Sequence, residues 1–161
     1  MRQITKLFAL ISILLCANVS AQTNSLQQQR VEVVKQYIKF LGQGNYQTIP
    51  SLFTQNAIAI SSSGLPDHPV HFYEKLFTKT ISNPHSSLIN IFSGTSDKSM
   101  IAAYFDFSWK DTKGKKVSAK FLNLFVFEDN TAKIKNLFVF SNSSKQDVMK
   151  QLGLSVMEDM S

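Results

Sequence analysis

The 161-residue chain holds 13 Phe, six Gly and one Cys, with 17% charged residues and a formal net charge of +6. Length and composition suit one folded domain with a proper core and exclude a disordered chain. The positive balance is not a nucleic-acid signature. Lys and Arg are scattered, and their one cluster, Lys113, Lys115 and Lys116, falls at a turn around Gly114 that reads as a solvated loop.

The first 21 residues are a separate object. Arg2 and Lys6 mark a positive start, Leu7 to Ala17 form an apolar core, and Val19-Ser20-Ala21 supplies small residues at a cleavage site before Gln22. This is the pattern of a secretory signal, and it predicts a periplasmic or secreted protein. The apolar core falls short of the ~20 residues that span a bilayer, and the remaining chain has no second candidate. Cleavage removes Arg2, Lys6 and Cys16, which lowers the net charge from +6 to +4. The bulky Leu15 argues against Cys16 as a lipid-anchored first residue. A mature chain without cysteine excludes disulfides, thiolate nucleophiles and Cys-ligated metal.

Residues 22–29 form a polar lead-in expected to fray, residues 30–144 the folded domain, and residues 145–161 a tail whose 145–152 stretch is amphipathic. From Arg30 to Leu41, Val31, Val34, Tyr37, Ile38 and Leu41 recur at three- and four-residue steps, which predicts a helix stopped by Gly42 and Gly44. A second short helix is expected over Tyr46 to Phe53, starting late or bending at Pro50. Asn56 to Ser61 reads as a strand and LPDHPV as a loop. A third helix is predicted over Val70 to Ile81 with Phe72, Leu76 and Phe77 facing in, broken by Asn83-Pro84.

Four strands complete the domain. They are expected over His85 to Ser93, over Ser99 to Lys110, and as a hairpin from Lys116 to Ser141 that turns at Glu128-Asp129-Asn130-Thr131. Strand alternation sets Ile101, Ala103, Phe105, Phe107 and Trp109 on one face, with Tyr104, Asp106 and Ser108 on the other. In the hairpin it separates Phe121, Asn123, Phe125 and Phe127 from Leu122, Leu124 and Val126. Both faces are apolar, so the sheet needs two covers: its own helices, and a second copy seated on the Leu122, Leu124, Val126 row. Asn123 interrupts an apolar run. An unpartnered amide there would cost about 1–3 kcal/mol, so it calls for a partner or a ligand.

The order helix, helix, short strand, helix, four strands is α+β. VVKQYIKFLGQGNYQTIPSLFTQNAIAISSSG, HFYEKLF, FLNLFVF and KNLFVFS together resemble the nuclear transport factor 2-like superfamily, the fold of SnoaL-like proteins and ketosteroid isomerases, over about residues 30–141. The resemblance implies a cone-shaped, curved antiparallel sheet with three helices packed on its concave side. The isomerase branch uses a helix-one tyrosine and a protonated strand aspartate as donors, with an aspartate ending the first strand as base. Those positions fall here on Tyr37, Asn123 and Ser61. An amide donates without a raised pKa, but a serine hydroxyl is too weak a base to shuttle protons near neutral pH by itself, which argues against steroid isomerisation.

What the resemblance implies instead is a pocket in which Tyr37, Ser61 and Asn123 converge among Phe53, Phe72, Phe105, Phe125 and Phe138, suited to a small, mostly apolar molecule. The alternative is that Tyr37 and Asn123 satisfy each other across the core. Two other functions compete: an isomerase, lyase or hydrolase using His71 or Asp106 as base, and an assembly module of a cell-envelope complex with a filled interior. His68 beside Asp67 lacks a third ligand at metal spacing, His85 reads as a strand-edge residue, and no nucleophile-elbow, phosphate-loop or dinucleotide motif is present, so neither metal nor cofactor is expected.

Overall fold

The computed structural model describes residues 25–61 and 64–141. The expected signal segment and the 145–161 tail lie outside them. Two α-helices and a six-stranded sheet account for most of the described chain. In order these are a helix over 25–43 (α1), a single 3-10 turn Ile49–Leu52, β1 Phe53–Ile60, β2 Pro66–Asp67, α2 Pro69–Lys79, β3 Ser82–Ser93, β4 Met100–Lys110, β5 Lys116–Phe127 and β6 Ile134–Ser141. No helix among the described residues is long and apolar enough to cross a membrane.

The strands lie side by side in the order β2-β1-β6-β5-β4-β3. All neighbours are antiparallel except β1 and β6, which run parallel, so the sheet is mixed where a wholly antiparallel one was expected. The reason is topological. β1 precedes α2, and the chain returns beside it only with its last strand. β2 is a two-residue strand within the segment expected to be all loop, pairing Ile60 with Pro66.

The three expected helices become two helices and one turn. Pro50 stands in the first positions of Ile49–Leu52, where its missing N–H and its ring bar a helix from starting upstream at Tyr46, and Phe53 enters β1 after a single turn. α1 begins earlier than its apolar periodicity predicts, taking in residues 25–29, and runs through Gly42. Gly42 is there because the helix lies directly on β3. A Cβ at that position would stand 2.6 Å from the Ser86 backbone nitrogen. Ser86 Oγ donates to the Ile38 carbonyl at 2.6 Å from the same contact. Gly44, at φ +67, is where α1 gives way to a turn.

α2 opens on His68, whose Nδ1 accepts the Val70 N–H at 3.3 Å while its Nε2 reaches the Gln55 carbonyl at 3.1 Å on β1. Pro69 follows at the position that tolerates proline best. The far end of α1 is pinned by Arg30. Its guanidinium donates to the carbonyls of Lys98, Glu128 and Thr131, each at 2.9 Å, and lies over the Phe127 ring. One side chain thereby ties the helix to the β3–β4 and β5–β6 connections.

The core fills the space between the helices and one face of the sheet. β4 gives it Ile101, Ala103, Phe105, Phe107 and Trp109, the row that alternation predicts. β5 adds Phe125 and Phe127, β6 Ile134 and Leu137, and α1 Val34, Tyr37, Ile38 and Leu41.

Candidate interior site

Helical periodicity turns Tyr37 inward at the middle of α1. Strand alternation does the same for Asn123 at the middle of β5, where it stands directly opposite Ala103 and Val139. A third polar group joins them. Tyr73 of α2, fully buried, donates its hydroxyl to Tyr37 Oη at 2.8 Å, and Asn123 Nδ2 donates to the same oxygen at 3.0 Å. The tyrosine and the amide do meet across the core, and a second tyrosine completes the group. Tyr73 could have been read from the sequence. It stands three and four residues before Leu76 and Phe77, at the centre of the stripe that α2 turns inward.

Aromatic edges enclose this polar cluster. Phe125 meets Tyr37 edge-on at 4.9 Å, Phe72 meets Tyr73 at 5.0 Å, and Phe53 lies 6.3 Å from Tyr73. Burial holds the Tyr37 hydroxyl well above the usual phenol range despite its two donors. Tyr73 is raised likewise by burial and by the neighbouring Tyr37. Neither is a base near neutral pH. Both serve as hydrogen-bonding groups.

Asn123 Oδ1 is buried with no hydrogen-bond partner, a state that native proteins rarely retain without a use. Rotating the amide exchanges its two ends. Tyr73 then donates to Tyr37, Tyr37 to Oδ1, and the NH2 faces where Oδ1 stood. The cluster can therefore present either an acceptor or a donor while the tyrosine pair stays intact.

Packing around Asn123 is uneven. Toward the β5–β6 turn, Ile101, Phe125, Phe127, Ile134 and Leu137 are at most 2% exposed. In the other direction Val139, opposite Asn123, and Phe121, one pair further on, are only partly buried, as are Phe72, Leu76 and Phe77 of α2. They adjoin Phe105, Phe107 and Trp109, which continue the buried core in that direction.

The remaining candidates divide by position. Phe53, Phe72, Phe105 and Phe125 lie on the core side, Phe105 stacked on Phe121 at 5.8 Å. Phe138 does not. It pairs with Leu124 on the opposite face, because Leu137 is the residue in register with Phe125. Ser61 stands one residue past β1, its carbonyl accepting from Gly64 N–H at 2.9 Å. His71 is exposed on the first turn of α2, 3.8 Å from Asp67. Asp106 is on the outer face in a 2.7 Å ion pair with Lys120, whose pKa that hydrogen bond raises. Neither candidate base faces the interior. His85 is exposed on β3, the strand at the sheet's edge. Among the described residues no three His, Cys, Asp or Glu side chains are grouped to hold a metal.

Beside the Asp106–Lys120 pair the outer face carries a broad apolar patch. Phe92, Ala102, Leu124, Phe138 and Ile60 form one row across five strands, flanked by Tyr104, Leu122 and Phe140 on one side and by Met100, Val126 and Ile58 on the other. Phe92 and Phe140 are 50% exposed and Leu122 is 41% exposed. Both described helices lie on the opposite face.

No family model and no curated sequence matches the chain. Solved structures do. PrhC of Penicillium brasilianum superimposes with a TM-score of 0.66 at 15% identity, over 80% of this chain and 90% of that one. A phenazine biosynthesis-related protein of Pseudomonas aeruginosa gives 0.64 at 19% identity, over 83% and 86%. A protein with a ketosteroid isomerase-like fold from Catenulispora acidiphila, solved with trimethylamine, gives 0.62 at 12% identity, over 77% and 94%. The chain therefore has the nuclear transport factor 2-like fold shared by SnoaL-like and ketosteroid isomerase-like proteins, as its opening helix and closing strands imply.

Proposed function

We propose that this is an exported binding domain that takes a small, mostly apolar molecule between α1, α2 and the inner sheet face, with the molecule's one polar group on Asn123. The observation that carries this reading is the unpartnered, fully buried amide oxygen of Asn123, beside the partly buried Phe121, Val139 and Phe72. A ligand entering along Phe121, Val139 and Phe72 would bury its apolar body against aromatic rings and reach the amide last. The rotatable amide accepts from an alcohol or amine and donates to a carbonyl, so the class is a compact hydrophobic alcohol, amine or ketone. The protein with a ketosteroid isomerase-like fold was solved in complex with trimethylamine, a small organic molecule.

The enzyme reading that uses His71 or Asp106 loses its support, since neither approaches the interior. Both buried tyrosines are protonated, and among the described residues no carboxylate or histidine stands beside Asn123 to shuttle a proton. Binding without turnover is the better reading. The apolar outer face supports a homodimer seated on Phe92, Leu122, Leu124, Phe138 and Phe140.

The test is a melting-temperature screen of the chain from Gln22 onward against small alcohols, amines and ketones. A ligand at 100 times its Kd should add about 2.7 kcal/mol of stability. Trp109, the only tryptophan, gives a second readout by fluorescence. A panel in which no compound shifts the midpoint, together with a solid interior beyond Phe121, would instead favour the filled assembly module. For the dimer, sedimentation of wild type and Leu122→Glu should show a pair converted to single chains. A wild type that is already monomeric at micromolar concentration removes that part of the proposal.

A further inference from the structure

The two ends of the long strands differ in charge. At the end formed by the β3–β4 and β5–β6 connections, the basic Arg30, Lys98, Lys133 and Lys135 alternate with Asp97, Glu128 and Asp129, and Lys135 lies 3.9 Å from Glu128. The opposite end is almost purely basic. The β4–β5 hairpin carries exposed Lys110, Lys113, Lys115 and Lys116 around Gly114, which takes φ +76 at the tip. Register sets Lys110 directly opposite Lys116, a like-charge pair that weakens a ladder. Ser82 pairs with Lys110 on the other side, and Lys79 ends α2 shortly before it, which brings a fifth lysine to the same pole.

The pole has one acid, Asp111, and it is occupied by the turn itself. Its Oδ1 accepts from the backbone N–H groups of Lys113 and Lys115, both at 2.9 Å. Among the described residues none of these five lysines forms an ion pair, although Lys35, Lys120 and Lys135 elsewhere all do. Five lysines with a single acid among the described residues of the pole, and none of the five in an ion pair there, suit an external anion.

We propose that this pole docks on a bilayer surface rich in anionic lipid headgroups. The apolar residues nearest the tip, Trp109 and Val117, are buried in the core, so nothing there inserts into the bilayer and the contact is purely electrostatic. A projecting hairpin meets a flat charged surface with all its lysines at once. It has no exposed aromatic ring on which to stack the bases of a single strand. The proposal is independent of what the interior binds, and it leaves both the interior and the outer sheet face free.

Each lysine held near an anionic surface strengthens partition about fivefold. The chain from Gln22 onward, which retains every described element, is co-sedimented with vesicles of phosphatidylcholine alone and with 30% phosphatidylglycerol added, in low and in high salt. Wild type should pellet with the anionic vesicles in low salt only. The variant with Lys110, Lys113, Lys115 and Lys116 all changed to Gln should lose well over tenfold in partition, and Lys133→Gln with Lys135→Gln should lose less than threefold. Circular dichroism melts of both variants keep loss of fold from passing as loss of contact. Equal binding to neutral vesicles, an equal loss in the two variants, or retention of duplex DNA in place of vesicles would overturn the proposal.

Discussion

Asn123→Leu should make the protein more stable while abolishing its binding. The amide contributes one hydrogen bond, from Nδ2 to Tyr37 at 3.0 Å, which is worth about 1 kcal/mol net. Against this stands a buried Oδ1 with no partner, a burden of about 1–3 kcal/mol. Leucine keeps the branched outline of the amide with more bulk, and it stands beside the partly buried Phe121 and Val139, so apolar contact replaces polar mismatch. Tyr37 keeps one partner after the change, because Tyr73 still donates to it at 2.8 Å. The balance favours leucine by about 1 kcal/mol, a rise of about 3 °C in melting temperature for a domain of this size. Urea denaturation followed by far-UV circular dichroism measures it, with an unchanged m-value as the control for two-state comparison. A loss of more than about 1 kcal/mol would show that both ends of the amide are satisfied by the fold, and the argument for a ligand would fail with it.

Other changes probe the same framework. Tyr37→Phe leaves the Tyr73 hydroxyl and the Asn123 amide without their shared acceptor and should cost about 2–4 kcal/mol, with strong coupling to Tyr73→Phe in a double-mutant cycle. Because burial raises both tyrosine pKa values, the unfolded chain loses protons first as the solution becomes alkaline. Stability should therefore be flat below pH ~10 and fall above it by up to about 1.4 kcal/mol per pH unit for each buried tyrosine, a slope that Tyr73→Phe should reduce. Arg30→Met strands three carbonyls and should cost about 3 kcal/mol by urea titration. Gly42→Ala should destabilise by about 1–3 kcal/mol, opposite in sign to helix propensity, because its Cβ would press on the Ser86 backbone.

Period-two and period-3.6 patterns made most elements legible, and the places where they failed share a cause. β4 was readable almost to the residue because its apolar row alternates with Tyr104, Asp106 and Ser108, and β5 because Asn123 and the polar residues Lys116, Ser118 and Lys120 mark its parity. Phe138 was misplaced because KNLFVFS is apolar at nearly every step, and a strand without alternation does not announce its parity. Only the pairing of Leu137 with Phe125 settles it. Gly42 read as a stop because a glycine in sequence looks the same whether it ends a helix or lets one approach a strand. Arg30 gave no local sign at all. Its three partners are carbonyls from 68 to 101 residues away, and backbone acceptors leave no trace in a sequence.

The interior site shows the same division between what is local and what is not. Tyr37 and Asn123 stood out because each interrupts an apolar face, and a polar residue on such a face has to be answered by a partner. Which partner answers is a long-range matter. Tyr73 belongs to another helix, 36 residues from Tyr37 and without sequence linkage to Asn123, so its hydroxyl entered only with the fold. It does not complete the amide. Tyr73 bonds to Tyr37 and not to Asn123, and one phenol answers only one end of an amide, so the other end is left to spare. A core selected for stability alone would have put an aliphatic side chain at 123. Keeping the amide is intelligible when something from outside the chain completes it.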